Sequence, residues 1–231
     1  MSLHIYEQLE QGTDEWRQAR AGVVTASVVG QLITAKTLKP AANETARGLV
    51  ATLAAERITG HVEEVPVSRD MERGTLDEPF ARQAYGDHHA TVEEVGFMVR
   101  ELEGDWGPLT IGYSPDGLVG EDGLIEIKSR LQKKHLATIL ADKVPAENMA
   151  QIQCGLLVSD RQWCDYVSYC GGMPLWTKRV YRDPAWHEAI HQALEAFEQS
   201  ARQMIDIYHE RTAGCPPTER IDHYLDDGIV I

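Results

Sequence analysis

The residues whose types and spacing could do chemistry are concentrated in one stretch, IGYSPDGLVGEDGLIEIKSR, from Ile111 to Arg130. Asp116 stands in a Ser-Pro-Asp-Gly turn that follows a short β-type run. Further on, Leu124-Ile125-Glu126-Ile127-Lys128 reads as a strand in which Glu126 and Lys128 share one face, because side chains alternate along a strand. Ile125 and Ile127 take the other face, toward a core. A hairpin through Glu121-Asp122-Gly123 brings Asp116 beside Glu126. Two carboxylates so placed hold a hard divalent cation such as Mg²⁺ through oxygen ligands. The cation lowers the pKa of a bound water and stabilises charge on a phosphodiester oxygen. A lysine one pleat away positions or deprotonates the attacking water, or offsets phosphate charge. A plainer reading stands beside this one: Glu-x-Lys on a strand is commonly a solvated ion pair, and Asp-Gly commonly a turn. The three residues together, at hairpin spacing, favour the metal site.

The surrounding pattern predicts the elements that position these groups. Thr13 or Asp14 caps a short helix to about Arg20, and Thr25-Ala26-Ser27 offers a second cap before Val28–Ile33. Asn43 caps a helix to about Thr59 with Gly60 as its stop, and a further helix spans Leu76 to Tyr85, closed by Gly86. The period then changes. Thr91–Arg100, Thr110–Tyr113, Gly117–Val119 and Leu124–Lys128 read as strands separated by Gly, Asp and Pro turns. Helical spacing returns over Gln132–Asp142 and after Pro145, and Gln162–Tyr169 and Leu175–Tyr181 read as strands. A long amphipathic helix from about 184 to 212 closes the chain. Helices, strands and helices in this order predict an α/β fold, a mixed central sheet flanked by helices, organised as a single domain over residues 1–231. Trp106 and Trp163 are expected in the core.

Composition excludes several classes. Of 231 residues, 43% are apolar and 25% charged, too apolar for a disordered chain. No apolar run is long enough for a membrane span, and the N-terminus lacks the pattern of a signal peptide, so a cytoplasmic protein is expected. Cys154, Cys164, Cys170 and Cys215 have neither CxxC spacing nor a disulfide framework, and free thiols serving mostly as core filler are expected. The formal charge of −14 argues against a passive nucleic-acid binder. It does not argue against a carboxylate site whose cations invert the local potential.

The same residues resemble the PD-(D/E)xK nuclease superfamily, and within it the lambda-type phage exonucleases, the YqaJ-like viral recombinases. The segment Trp16-Arg17-Gln18-Ala19-Arg20-Ala21-Gly22-Val23-Val24-Thr25-Ala26-Ser27 is similar to that family's W-x3-R-x-G-x-[ITV]-TAS. Arg73-Gly74-Thr75-Leu76-Asp77-Glu78-Pro79 resembles its G-x3-E helix start. Ser114-Pro115-Asp116-Gly117 and Glu126-Ile127-Lys128 match its metal site, and Met149-Ala150-Gln151-Ile152-Gln153 its A-Q-x-Q helix. These blocks keep the family's order from about residue 11 to 160.

The resemblance implies a restriction-endonuclease-like core and a set of roles. Asp116, Glu126 and the backbone carbonyl of Ile127 would bind Mg²⁺, with Mn²⁺ as a substitute, and Lys128 would activate or orient the water. Glu78 would complete the acidic cluster, and Gln151 would support the lysine or the nucleophile. Arg20 and Ser27, with Thr25, would grip the phosphate at the strand's 5′ end, and a capped helix start at Thr25 and Ser27 is itself an anion site. Met71 would be a wedge that splits the terminal base pair, and Arg130 and Gln153 would join the DNA contacts, although Arg130 stands where the family often has Cys-Pro. Each has a plainer alternative: a favourable helix-dipole site for Glu78, a polar helix face for Gln151 and Gln153, a solvated helix end for Arg20, surface or core for Met71. The implied activity is 5′→3′ digestion of linear double-stranded DNA from its ends, releasing mononucleotides and leaving 3′ overhangs. The enzyme would be a homotrimeric ring in the cytoplasm of a bacterial host, and would hand the single strand to an annealing protein. Lys36, Lys39, Arg130, Lys133 and Lys134 would line the channel. An endonuclease or repair nuclease without a ring, or a non-catalytic partner-binding protein, are the rivals.

Overall fold

A computed structural model describes residues 2–63 and 66–221. The chain opens with β1 (Ser2–Tyr6), α1 (Asp14–Ala19), β2 (Val24–Thr25) and the single turn α2 (Ala26–Val29), followed by a 3₁₀ turn at Gly30–Leu32. A small hairpin, β3 (Ile33–Thr34) and β4 (Lys39–Pro40), leads to α3 (Glu44–Thr59) and α4 (Arg69–His88). The strands β5 (Phe97–Leu102), β6 (Leu109–Tyr113), β7 (Gly117–Val119) and β8 (Gly123–Ser129) follow. Then come α5 (Gln132–Ala141), α6 (Ala146–Ser159), β9 (Trp163–Tyr169), β10 (Trp176–Tyr181) and α7 (Pro184–Thr212).

The α/β class with mixed sheets flanked by helices is as expected, but the strands form two four-stranded sheets rather than one. Their orders are β1-β5-β6-β2 and β10-β9-β8-β7, and each contains one parallel pair, β2–β6 and β8–β9. The Ser114-Pro115-Asp116 turn carries the chain from the end of β6 in one sheet to β7 in the other. Helix α4 packs on one face of β8, where Ile125, Ile127 and Val167 join Ala81 and Tyr85. Leu124 turns instead into the larger core with Ala150, Ile152, Cys154 and Leu156 of α6 and Ile190, Leu194 and Phe197 of α7.

Capping accounts for most helix limits. Thr13 and Asn43 accept hydrogen bonds from Trp16 N and Ala46 N, and Gly60 ends α3 at φ 64°, a left-handed conformation suited to glycine. Asp183 caps α7 at Ala185 N, with Pro184 in the first turn, as the pattern implies. Four expectations change. Helix α4 starts at Arg69, not Leu76, because Ser68 caps it at Met71 N, so Gly74 lies inside it and Gly86 does not end it. The strand expected over Thr91–Arg100 begins only at Phe97, with one isolated bridge at Glu93, because Gly96 packs against the Leu9 carbonyl where a Cβ would be 2.1 Å away. Edge strand β1, exposed throughout, carries no alternating burial from which it could be read. Trp106 is exposed on the β5–β6 connection rather than in the core, and Trp163 is half-buried under the Arg179 guanidinium at 3.5 Å. Cys154, Cys164 and Cys170 are buried free thiols and Cys215 is exposed.

Candidate active site

Strand β8 supplies the centre of the site. Glu126 is fully buried, and Lys128, on the same face, places Nζ 2.5 Å from Glu126 Oε1. That approach has the distance of an ion pair but not the alignment of a hydrogen bond, so neither Glu126 oxygen has a hydrogen-bond partner among the described residues. The antiparallel register of β7, Gly117 opposite Ile125, sets Asp116 beside β8, and Asp116 Oδ2 accepts a 2.6 Å hydrogen bond from Ile127 N. Glycine is required next to it: a Cβ on Gly117 would meet Val92 Cγ1 at 2.1 Å. The sequence expectation that Asp116, Glu126 and Lys128 converge therefore describes the structure, and the solvated ion pair does not, since Glu126 has no exposed surface.

Electrostatics follows from this crowding. Burial first, then the Glu126 charge, push the Asp116 carboxyl well above its ordinary range. Burial alone would lower the Lys128 ammonium, but Glu126 and Asp116 outweigh it and hold it above the usual lysine range. Lys128 thus stays charged and can orient a water or a phosphate oxygen. A buried carboxylate with no hydrogen bond is a costly feature, and two hard oxygen donors flanking a backbone carbonyl match the preferences of Mg²⁺ or Mn²⁺. Asp116, Glu126 and the Ile127 carbonyl fit such an ion.

Glu78 approaches from α4 and is half-buried, not at the helix start, so the dipole reading for it does not apply. Its Oε1 accepts a short hydrogen bond from Arg82. Arg82 also donates through Nε to the Asp116 carbonyl at 2.9 Å and pairs with Glu94 at 2.8 Å. Burial raises the Glu78 pKa and the Arg82 charge partly offsets it. No three acidic, His or Cys side chains close on one point among the described residues. Beside this, Ser129 at the end of β8 donates to Asp77 at 2.6 Å and accepts from Arg73 at 3.0 Å, which docks α4 on the site. Arg82, Ser129 and Arg73 had no role in the sequence reading; the Glu78/Arg82 spacing of a helical i,i+4 ion pair was the available signal.

A second cluster lies at the start of the turn. Arg20 stacks on Trp16 at 3.9 Å and donates to Ser114 Oγ at 3.3 Å, Thr25 Oγ1 at 3.2 Å and Ser27 Oγ at 3.4 Å. Trp16 Nε1 also donates to Ser114 Oγ, at 3.0 Å. Arg20, Thr25 and Ser27 are therefore brought together as expected, with Ser114 and Trp16 as unforeseen members. The capping expectation is corrected: Thr25 occupies the N-cap position of α2 but makes no side-chain cap, and its hydroxyl serves Arg20 instead. Burial lowers the Arg20 pKa to about 10, with Glu56 pulling the other way, so the guanidinium is charged at neutral pH and bonded here to neutral hydroxyls.

The remaining expectations divide. Gln151 is half-buried on α6, with no hydrogen bond among the described residues. Gln153, two residues further along the helix, is buried and fully used: Nε2 donates to Tyr181 O at 2.8 Å and Oε1 accepts from Asp183 N at 2.9 Å. It ties α6 to the β10–α7 junction, and its assignment to DNA contact is withdrawn on that ground. Arg130 donates to Asn148 at 2.7 Å and Tyr166 at 3.0 Å. Met71 is exposed in the first turn of α4, and Lys36, Lys39, Lys133 and Lys134 are exposed.

A mixed sheet presenting Asp, Glu and Lys in this relation defines the PD-(D/E)xK nuclease fold. The chain matches the YqaJ-like viral recombinase domain over residues 15–162 and belongs to that family. An alkaline exonuclease from Laribacter hongkongensis is similar in structure, 34% identical, the match covering 87% of this chain and 98% of that one at a TM-score of 0.75. The same exonuclease in complex with dAMP matches at a TM-score of 0.74 with equal identity and coverage. A phage-related exonuclease from Haemophilus somnus 129PT shares the fold at 17% identity, 80% and 96% coverage, and a TM-score of 0.59. No curated protein sequence matches.

Proposed function

We propose that this chain is a Mg²⁺-dependent exonuclease that digests one strand of linear double-stranded DNA from its 5′ ends. That it is a nuclease acting on DNA follows from its family and from its 34% identity to alkaline exonuclease structures. The finer reading rests above all on one observation: the Arg20 cluster and the carboxylate pair are joined by the Ser114-Pro115-Asp116 turn. Two residues of chain span at most about 7 Å, so an anion held at Arg20 and Ser114 and a phosphodiester at Asp116 and Glu126 belong to neighbouring nucleotides. A terminal 5′-phosphate in the first site puts the next phosphodiester in the second, which makes a mononucleotide the product. The dAMP complex of the 34%-identical exonuclease supports that product class.

When bound, the cation acidifies a water and screens charge on the scissile phosphate. The residues of the chain do the rest. Asp116 and Glu126 would hold the ion with the Ile127 carbonyl, Lys128 would orient the attacking water or the phosphate oxygen, and Glu78 would complete the acidic face. Gln151 lies half-buried with its amide uncommitted and supports the water. Met71, exposed on α4, wedges the terminal pair, and Arg130 approaches the phosphate backbone. The active form is a single nuclease domain in a trimeric ring, with Lys36, Lys39, Arg130, Lys133 and Lys134 facing a channel, working with an annealing protein in the bacterial cytoplasm. No helix among the described residues is long and apolar enough to cross a membrane.

The test compares release of acid-soluble nucleotide from linear duplex and from covalently closed circles, in Mg²⁺ and in EDTA, with Lys128→Ala alongside. Metal-dependent loss of linear DNA only, reduced at least about 100-fold in the variant, is the expected result. Cutting of the circle establishes an endonuclease instead, and degradation of neither overturns the nuclease site.

A further inference from the structure

The Arg82 guanidinium is spent entirely within the protein. Its side chain is 16% exposed, and it meets Glu78 Oε1, Glu94 Oε2 and the backbone oxygen of Asp116 at once. One planar fork therefore joins α4, the loop before β5 and the turn that carries Asp116. It contacts Asp116 through the carbonyl, leaving the carboxylate free, and so fixes the turn without competing for the ion-binding oxygens. Toward Glu78 it acts directly on the carboxylate, setting how far that group stands from Asp116 and Glu126. Among the described residues, Lys128 is the cation that faces the Glu126 and Asp116 charges, and Arg82 is the additional positive charge that faces Glu78.

We propose that Arg82 is the positioning residue of the metal site, holding the Asp116 turn and the Glu78 carboxylate in the relation that a divalent cation needs. This rests on the nuclease reading above. Lysine cannot reproduce the role, because a single ammonium does not present three in-plane donors to three acceptors. Partners of this kind, one step behind the ligands, change metal affinity by about 10- to 100-fold when altered.

The experiment titrates the full chain with Mn²⁺ alone, without DNA, by calorimetry, and records melting in EDTA and nucleotide release against Mn²⁺ concentration. In Arg82→Lys the Mn²⁺ affinity is expected to fall at least about 10-fold, with turnover recovering as Mn²⁺ is raised. A merely structural arginine would lower the melting temperature and leave both readings unchanged. Wild-type Mn²⁺ affinity in Arg82→Lys overturns the proposal. Should that variant not fold, Glu94→Gln decides: Glu94 is exposed and anchors Arg82 from outside, so a several-fold loss of affinity supports the role and wild-type affinity overturns it. If the unaltered protein itself binds no Mn²⁺, the metal-site reading fails first and this proposal with it.

Discussion

Replacing Asp116 with Asn should make the protein more stable without metal and less stable with it. In the metal-free protein one ammonium, Lys128, faces two carboxylates, one of them fully buried and without a hydrogen bond. The Asn side chain keeps an oxygen to accept from Ile127 N, and its amide can donate toward Glu126. Removing an under-compensated buried charge at equal volume stabilises by about 1–2 kcal/mol. At this chain length 1 kcal/mol moves Tm by about 2–4 °C, so Asp116→Asn in EDTA should melt about 2–8 °C higher. A cation at one hundred times its Kd stabilises the folded state by about 2.7 kcal/mol. The unaltered protein gains this in Mn²⁺, the variant does not, and the order of melting temperatures reverses. The pH dependence has a definite sign. The folded Asp116 pKa is raised, so its stabilising contribution is complete below the ordinary aspartate range, about 4, and is lost as pH climbs through the raised value. The unaltered protein in EDTA therefore loses stability over that window and Asp116→Asn loses less. Scanning calorimetry with and without Mn²⁺ reads both effects. A variant that melts lower in EDTA, or that gains as much from Mn²⁺ as the unaltered protein, refutes the electrostatic reasoning.

Arg20→Ala should abolish the preference for 5′-phosphorylated over 5′-hydroxyl ends, a change of about 10- to 100-fold in kcat/KM set by hydrogen bonds to a charged group. Because Arg20 carries its charge below about pH 10, KM for phosphorylated ends should hold from neutral to mildly alkaline pH and rise above that point. Gln153→Ala should cost about 1–3 kcal/mol by stranding the Tyr181 carbonyl and Asp183 N–H, while kcat/KM well below the melting range is unchanged; reduced activity with unchanged melting would restore Gln153 to the DNA contacts. Replacing Lys133 or Lys36 with Ala should flatten the slope of log K against log salt by about 0.9 each if they face the channel, and leave it alone if they point outward.

Short-range chemistry was legible in the sequence and long-range placement was not. Asp116, Glu126 and Lys128 could be placed because a hairpin and a two-residue period fix their relation locally, and the register Gly117 to Ile125 realises it. The Arg20, Thr25 and Ser27 group could be named only through the family motif that spans all three; residue types and spacing alone predicted a helix end and a cap. Ser114 joins that group across 94 residues of sequence, a contact no local pattern encodes. Helix α4 was started too late, at Leu76, because Arg69 through Gly74 carries little apolar periodicity and a glycine inside a helix carries a penalty. Tertiary contacts override that penalty: Arg73 and Asp77 lock onto Ser129, and Arg82 onto the Asp116 turn. Gln153 was misplaced because a helical motif gives spacing but not which face turns inward, and Trp106 because an aromatic residue on a connection has no period to read.

The acidity of the chain also takes on a physical meaning at this site. A formal charge of −14 would repel a polyanion at long range, so attraction has to come from local groups: in the proposed reading, the lysine-lined channel and Arg20. Arg20 is sunk among hydroxyls, with no carboxylate in direct contact among the described residues, and stacked on an indole, where its charge is less screened than on an open surface. Nearby, Asp116 and Glu126 outnumber Lys128, and in the proposed reading a bound divalent cation would make that site attractive to phosphate. With Arg20 and the carboxylate pair as the two phosphate sites proposed above, an end would be favoured over an internal stretch of duplex, because only an end would offer a terminal phosphate to Arg20 and a phosphodiester one nucleotide away to Asp116 and Glu126. The Ser114-Pro115-Asp116 turn would set that spacing, with Pro115 limiting its backbone freedom and Arg82 holding its far end.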